Sequence, residues 1–296
     1  MSARRRPLLL LSVLILVWGA NWPILKMGVT RIPPLWLAAD RIILGGLILA
    51  GILALRGGLR LPARRDWALL ASVALLQVAA FNICMNLALV HVEAGRSAIL
   101  AYTTPLWVAP GAVLLLRERL GRLAAAGVAL GLVGVVVLFD PATFNWSDDA
   151  AVLGNGLLLL AALSWAGAIL HVRARHDAPS PLVVAPWTRV RAAVPLTVLA
   201  WLREGPPPLA FDSVGWFVLL YNIGPATAFG IWAVITVTRA LPAVVTSLSF
   251  LGVPVCGLIL SAWWLGEPLT AVKLTGLGLI LAGVAVVTWF GAKANR

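Results

Sequence analysis

Residues 7–25 read PLLLLSVLILVWGANWPIL, a continuous run without a charged side chain. An α-helix needs roughly 20 mainly apolar residues to cross the hydrocarbon core of a bilayer. The run is longer than the apolar core of a signal peptide, and no small-x-small cleavage site closes it. The stretch therefore predicts a first membrane-spanning helix that is retained in the mature protein.

Nine further runs of this kind follow along the chain. Of its 296 residues, 61% are hydrophobic and 11% are charged, and the mean hydropathy is +0.97. Soluble domains carry about 25% charged residues, so this composition excludes an ordinary soluble globule. Segmentation at charges, prolines and glycines predicts an all-α membrane protein with ten transmembrane helices, at residues 7–26, 34–55, 67–90, 94–116, 122–139, 151–172, 181–202, 213–238, 242–265 and 270–291.

The net charge of +12 comes from short basic clusters between the apolar runs. Lys and Arg concentrate in the cytoplasmic loops of membrane proteins. With the N-terminus inside, the inner segments hold fifteen Lys and Arg residues and the outer segments hold five. We therefore expect a bacterial inner-membrane protein with both termini in the cytoplasm and no nucleic-acid partner. The inner group is Arg4, Arg5, Arg6, Arg56, Arg60, Arg64, Arg65, Arg117, Arg119, Arg122, Arg173, Arg175, Arg239, Lys293 and Arg296, and the outer group is Lys26, Arg31, Arg96, Arg203 and Lys273.

Rare residue types recur along the chain at an offset of 147 to 149 positions. Each copy would hold five helices, and because five is odd the second copy must enter the membrane upside down. Inverted repeats of this sort place a substrate site near the midplane between the halves. The sequence thus predicts two inverted five-helix repeats, residues 1–146 and 147–296. The matched pairs are Trp18 and Trp165, Pro33 and Pro181, Arg41 and Arg189, Trp67 and Trp216, Pro105 and Pro254, Glu118 and Glu267, Gly127 and Gly276, and Gly134 and Gly283.

Several short motifs carry a resemblance to a known family. They are Trp18-Gly19-Ala20-Asn21, His91-Val92-Glu93-Ala94-Gly95-Arg96-Ser97-Ala98, Pro105 ahead of Arg117-Glu118-Arg119, and Glu267-Pro268-Leu269. With them the chain resembles the drug/metabolite transporter superfamily, specifically its paired EamA-domain carriers, over nearly its whole length. Within that family it is most similar to the YddG-type exporters of aromatic and other amino acids. The resemblance implies transport of small organic metabolites by alternating access. Helix 7 departs from the family pattern, because Trp187 is followed by two arginines, Arg189 and Arg191, where such carriers are usually apolar with an amide.

Polar and aromatic side chains inside the apolar helices indicate a transport pathway, because a polar group in the hydrocarbon core must face a cavity or a partner. In one interpretation they wall a cavity of aromatic faces and neutral donors and acceptors, suited to zwitterions or amphipathic solutes. In the other, the Trp and Tyr residues anchor helix ends at the membrane interface. The predicted substrate-binding residues are Trp18, Asn21, Gln77, Phe81, Asn82, Tyr102, Trp107, Trp165, Tyr221 and Phe250.

Charged and helix-bending residues within the spans allow further expectations. Arg41, Arg189 and Arg191 could bind a substrate carboxylate, or could face a lateral opening and lipid headgroups. The few other polar groups on that part of helix 7 favour the second alternative. Pro105 and Pro254 lie in mid-helix, where a proline removes a backbone hydrogen bond, and we expect them to bend helices 4 and 9 during gating.

Small residues recur on helices 5 and 10 in small-xxx-small patterns, which allow helices to approach closely. Matched positions in the two halves predict either that these helices pack together or that they form a homodimer contact, so that the protein is a monomer or a homodimer. The residues are Gly127, Gly131, Gly134, Gly276, Gly278 and Gly283.

The motifs indicate transport without catalysis. The chain has no GxxxxGK[ST] loop and no HExxH or paired-aspartate signature, so we expect no enzyme activity, no cofactor and no metal. Its glutamates near the spans lie at helix ends, and Asp40 is left as the one acidic candidate for proton coupling. We therefore expect a gradient-driven uniporter of a small molecule embedded in the lipid bilayer. The alternatives are a proton-coupled drug/metabolite or nucleotide-sugar carrier and, from another class, a channel or receptor.

Overall fold

The structure is a computed structural model, which describes residues 5–139, 146–175, 177 and 179–294. Within these residues, ten helices are long and apolar enough to span a membrane, which confirms the predicted all-α architecture. Arg4 and Arg296, both counted for the orientation, lie outside the described residues, as do residues 140–145 at the end of the first predicted repeat. The helices are α1 (Arg5–Val29), α2 (Pro34–Leu55), α3 (Arg64–His91), α4 (Ala94–Leu116), α5 (Arg122–Phe139), α6 (Asp149–Ala174), α7 (Pro181–Glu204), α8 (Ser213–Ala240), α9 (Val244–Leu265) and α10 (Ala271–Phe290).

Two of these helices contain a widened, π-helical stretch. It covers Val73–Ala80 in α3 and Asn222–Phe229 in α8, so the same offset of 149 separates the two stretches. In α8 the stretch contains Pro225, which has no N–H to donate to the helical ladder. Leu76 stands at the matching position of α3, so proline chemistry does not account for the first stretch. Such stretches occur frequently at functional sites, and both of these contribute residues to the central cavity described below.

Two other helices are interrupted halfway along their length. In α4 the break lies at Tyr102 and Thr103, and in α9 it lies at Leu251, again 149 positions after Tyr102. Pro105 follows the first break by one turn or less and Pro254 follows the second in the same way. The two prolines therefore begin the second segment of each helix. The expectation that they lie within a continuous bent helix is corrected in this detail, because a proline in a first helical turn sacrifices no internal hydrogen bond.

Helices α5 and α10 touch backbone to backbone. A Cβ atom on Gly283 would lie 2.5 Å from the Gly131 nitrogen and 2.6 Å from the Gly127 oxygen. A Cβ atom on Gly134 would lie 2.9 Å from the Gly276 oxygen. Of the two sequence-based alternatives for these glycines, the structure shows the contact within one chain.

The remaining helices pair around a central space. Helix α2 lies along α7, α3 along α6, and α1 along α9 and α8. The outer faces carry large exposed apolar side chains such as Leu47, Leu114 and Leu160. Exposed leucines of this number are favourable in hydrocarbon and unfavourable in water, in agreement with the ten spanning helices.

Candidate functional site

A cavity of about 860 Å³ lies at the centre of the bundle, lined by every helix except α5. Its volume falls within the range of about 300–1,000 Å³ that is usual for small-molecule sites. Eight of the ten residues predicted to bind substrate line this cavity, as does Pro105. The eight are Trp18, Asn21, Gln77, Phe81, Asn82, Tyr102, Trp165 and Phe250.

Two pairs of aromatic rings form parts of the wall. Trp18 of α1 stacks on Phe250 of α9, with ring centroids 5.7 Å apart and an interplanar angle of 26°. Phe81 of α3 meets Trp165 of α6 edge to face, with centroids 4.6 Å apart at 82°. Trp18 is also held by a 3.1 Å hydrogen bond from its Nε1 to the carbonyl oxygen of Ala226, in the π-helical stretch of α8. The rings are thereby fixed as apolar walls, and such faces suit a planar or aromatic solute.

Neutral polar groups lie between these walls. Asn82 donates from Nδ2 to the carbonyl oxygen of Val78 at 2.7 Å, one turn back on α3. Asn21 is 8% exposed, and its Oδ1 atom has no hydrogen-bond partner in the described part of the chain. A buried amide oxygen without a donor is unfavourable, so Asn21 retains an unused acceptor at the cavity wall.

Three residues singled out from the sequence lie outside the cavity lining. Trp107 donates to the Thr103 hydroxyl at 3.1 Å, within the break of α4. The Tyr221 hydroxyl donates to the carbonyl oxygen of Val17 at 2.8 Å and so joins α8 to α1. Pro254 is buried in the first turn of the second segment of α9. Trp107 thus bonds within its own span, Tyr221 joins two helices, and Pro254 is buried in a helical turn.

Two arginines are found where the sequence analysis did not favour them. Arg41 and Arg189 both line the cavity, rather than standing only at a lateral edge that faces lipid headgroups. Arg191 points elsewhere, because its guanidinium lies 4.5 Å from the ring centroid of Trp67 and donates to the Trp67 carbonyl oxygen at 3.2 Å. The structure thus separates the three arginines into two on the cavity wall and one outside it.

The cavity opens at one end of the bundle. The lining residues there, Arg119, Arg173 and Thr238, are exposed, whereas Trp22 and Met85 at the inner end are buried. Arg173 binds the carboxylate of Glu118 at 2.8 Å beside this mouth. We call it the open end.

The opposite end, which we call the closed end, is defined by Lys26, Glu93 and Glu267. Glu267, between α9 and α10, accepts hydrogen bonds from the first two backbone nitrogens of α4, Ala94 at 2.6 Å and Gly95 at 2.9 Å. A carboxylate is favourable at a helix N-terminus because it meets unpaired N–H groups and the positive end of the helix dipole.

Lysine side chains complete the closed end. Lys26 of α1 donates to the carbonyl oxygens of Leu89 at 2.5 Å and Val92 at 2.9 Å, at the C-terminus of α3. Lys273 of α10 forms an ion pair with Glu93 in the link between α3 and α4. Sequence reasoning placed these residues at helix ends but missed their mutual contacts. The only available signal was the match of Glu118 with Glu267.

The chain resembles transporters in its sequence and a solved structure in its fold. The sequence model of the EamA-like transporter family matches residues 5–140 and 152–289. The "Probable amino-acid metabolite efflux pump" of Salmonella typhimurium is 31% identical, over 96% of this chain and 95% of its own length. The "Uncharacterized inner membrane transporter YedA" of Escherichia coli is 27% identical, over 94% of this chain and 89% of its own. A solved crystal structure, 23% identical, covers 99% of this chain and 100% of its own with a TM-score of 0.66, a likeness that concerns the fold.

Proposed function

Because the chain belongs to the EamA-like transporter family, we propose that it exports amino acids, aromatic ones among them, by alternating access. The observation that carries this proposal is the central cavity, which has two fixed aromatic walls, one open end and one closed end. The resemblance to YddG-type exporters and the printed name of the Salmonella typhimurium relative point to the same class of substrate.

The direction of opening follows from the charge distribution. Arg119 and Arg173 at the open end belong to the basic segments that the Lys/Arg asymmetry assigns to the cytoplasm. On this assignment the structure is an inward-facing state, in which substrate enters from the cytoplasm. The closed end would then face the periplasm and open to release it.

The outward-facing state can be derived if the two predicted repeats, residues 1–146 and 147–296, exchange their conformations. Glu267 now binds the N-terminus of α4 at Ala94 and Gly95. The offset of 149 relates Glu118 to Glu267 and Gly95 to Val244, at the start of α9. In the outward-facing state we expect Glu118 to leave Arg173 and bind the N-terminus of α9, while Glu267 releases α4.

We expect the concentration gradient of the substrate to drive transport. Among the described residues of the lining, Glu118 is the only acidic one, and it stands at the mouth in contact with Arg173. A proton-coupled carrier normally needs a titratable group in the membrane core. Gradient-driven uniport therefore agrees best with the lining.

Counterflow in liposomes tests the proposed function. Purified protein should exchange phenylalanine and tryptophan across the membrane without an imposed ion gradient. It should not transport nucleotide sugars or quaternary ammonium compounds. Strict dependence on a pH gradient would identify a proton-coupled carrier, and exchange of nucleotide sugars alone would identify another substrate. Net flux without counterflow would indicate a channel.

The aromatic wall allows a prediction about substrate preference. Trp165→Ala removes one ring of the pair with Phe81, and aromatic contacts contribute about 0.5–1.5 kcal/mol beyond their buried area. We expect the KM for phenylalanine to rise about tenfold, with a smaller change for alanine. Trp263→Ala is the matched control, because Trp263 is 75% exposed on α9 and lies outside the lining. Equal effects of the two variants would contradict the assignment.

The two prolines that follow the helix breaks predict a change in rate. Pro105→Ala and Pro254→Ala restore an N–H group and a good helix former, so each broken helix can continue through its break. We expect turnover to fall several-fold while KM stays within about twofold. If both variants turn over at the rate of the unmodified protein, the breaks have no part in gating.

A further inference from the structure

Three residues from three helices line the cavity wall near a pair of glycines. Arg41 on α2 lies one helical turn before Gly45, where a Cβ atom would be 2.8 Å from Cβ of Thr227 on α8. The next residue, Gly46, is pressed against Arg189 on α7 and would place a Cβ atom 2.9 Å from that of Arg189. Residues one turn apart lie on the same helix face. The two glycines thus bring Arg41, Arg189 and Thr227 together, and all three line the cavity.

Several polar atoms of this group lack partners in the part of the chain that the structure describes. Buried atoms without a hydrogen bond include Nε and Nη1 of Arg41, Nε of Arg189 and Oγ1 of Thr227. Arg189 is nonetheless held in position, because its Nη1 donates to the Ala185 carbonyl at 3.0 Å and to the Thr188 hydroxyl at 3.1 Å. Unsatisfied buried donors are rare in folded proteins and require an explanation, which a bound acceptor would supply.

The charges of this group are also unbalanced. Neither Arg41 nor Arg189 forms an ion pair with any described residue. The carboxylate of Glu118 belongs to the same cavity but is bound to Arg173 at the open end. Two guanidinium groups in a mainly apolar cavity attract an anion, because low-dielectric walls focus the field of like charges.

We propose that Arg41, Arg189 and Thr227 form the receptor for the carboxylate of the transported substrate, and that a carboxylate is required for binding. This inference rests on the proposed function and deepens it, because it replaces a list of amino acids by one chemical requirement. The planar fork of a guanidinium matches the two oxygens of a carboxylate, so acids are bound and their amides and amines are rejected. Arg41 and Arg189 are also partners under the predicted repeat, so the receptor draws on both halves.

The rest of the cavity fits the remainder of an amino acid. Asn21 on α1 presents its unpartnered Oδ1, an acceptor that an ammonium group can donate to. The stacked rings of Trp18 and Phe250 provide an apolar face for the side chain. Donors for the acid and an acceptor for the amine thus occupy different helices.

Binding of a matched pair of ligands tests the receptor. Phenylalanine and phenylalaninamide differ in covalent structure only at the carboxylate, and each can be titrated against purified protein by calorimetry at a pH low enough to keep both amines protonated. We expect the acid to bind at least about tenfold more tightly than the amide, as expected for hydrogen bonds to a charged group. Arg41→Gln and Arg189→Gln should each weaken binding of the acid about tenfold and reduce the preference over the amide.

Arg191→Gln is the control, because Arg191 contacts Trp67 outside the cavity lining and should leave both affinities unchanged. The Arg41→Lys and Arg189→Lys variants keep the positive charge and lose the planar fork. Their unfolding temperatures, measured without ligand, show whether a weaker affinity comes from loss of folding. Equal binding of acid and amide by the unmodified protein overturns the receptor without any variant. Unchanged affinity for the acid in well-folded Arg41→Gln and Arg189→Gln variants also overturns the receptor.

Liposome transport of the same pair separates this inference from the proposed function. If the acid is bound in the expected way but not transported, the receptor stands and export is refuted. If the acid and the amide are bound and transported equally well, export stands and the receptor is refuted.

Discussion

Gly283→Ala should sharply reduce the amount of folded protein in the membrane, whereas Gly278→Ala on the same helix should leave that amount unchanged. The new methyl group at position 283 would lie 2.5 Å from the Gly131 nitrogen and 2.6 Å from the Gly127 oxygen. Both are backbone atoms of α5, so no side-chain rotation can relieve the overlap and the helices must separate. Overpacking of this kind costs about 1–3 kcal/mol and occasionally more.

The comparison with position 278 isolates this cause. Both variants exchange glycine for alanine in α10 and gain the same helix propensity, but a Cβ atom on Gly278 meets nothing within 4 Å. Fluorescence-detected size-exclusion chromatography after a heating series measures the fraction of folded protein for each. Identical melting curves for the two variants would show that the α5–α10 contact contributes little to stability.

Glu267→Gln should open the closed end. The amide keeps the shape of the side chain but loses the charge, and its NH2 group cannot accept from the N–H of Ala94 or Gly95. Hydrogen bonds to a charged group contribute about 1.5–3 kcal/mol, and 1.4 kcal/mol corresponds to a factor of ten in an equilibrium. We therefore expect at least about a tenfold shift toward the state that is open on the proposed periplasmic side, with impaired transport.

Chemical labelling measures this shift. Met85 lines the inner end of the cavity and is 3% exposed, so Met85→Cys in a background with Cys84→Ala and Cys256→Ala reports on access. A membrane-impermeant maleimide added to intact cells should react about tenfold faster when Glu267→Gln is also present. Unchanged labelling would mean that Glu267 does not hold the closed end.

A second carboxylate provides a control of the same chemistry. Glu204 caps the N-terminus of α2 by accepting from Leu35 and Trp36 at 3.0 and 3.1 Å, but it joins α2 to α7, which pack along each other. Glu204→Gln should lower stability without changing the labelling.

Glu118→Gln should shift access in the direction opposite to Glu267→Gln, and a shift in the same direction would contradict the proposed exchange between repeats.

The sequence predicted much of the local structure. Each predicted span overlaps a helix of the structure, because length and apolarity are properties of a short stretch of chain. Gln77 and Phe81, both predicted to bind substrate, line the cavity together, since residues one turn apart share a helix face. The two inverted repeats stay a prediction, supported by the matched positions of the π-helical stretches and of the breaks.

Tertiary structure decided which side of each helix faces the cavity. Trp107 and Tyr221 are aromatic residues within spanning helices, like Trp18 and Trp165, yet Trp107 bonds within α4 and Tyr221 joins α8 to α1. Lipid and protein interior are both apolar, so a helix that touches both carries hydrophobic residues all round and its sequence does not reveal its orientation. Only the positions of the neighbouring helices distinguish a lining residue from a packing residue.

By itself, then, the sequence determined ten spanning helices, their basic flanks and the motifs that resemble a transporter family, because each is a local property of the chain. The tertiary structure decided that Arg41 and Arg189 share a cavity wall and that Glu267 caps α4. Each of these arrangements brings together residues more than 140 positions apart in the sequence. The sequence does not reveal them because the energies of charge interactions and hydrogen bonds depend on distances in space, and packing sets those distances.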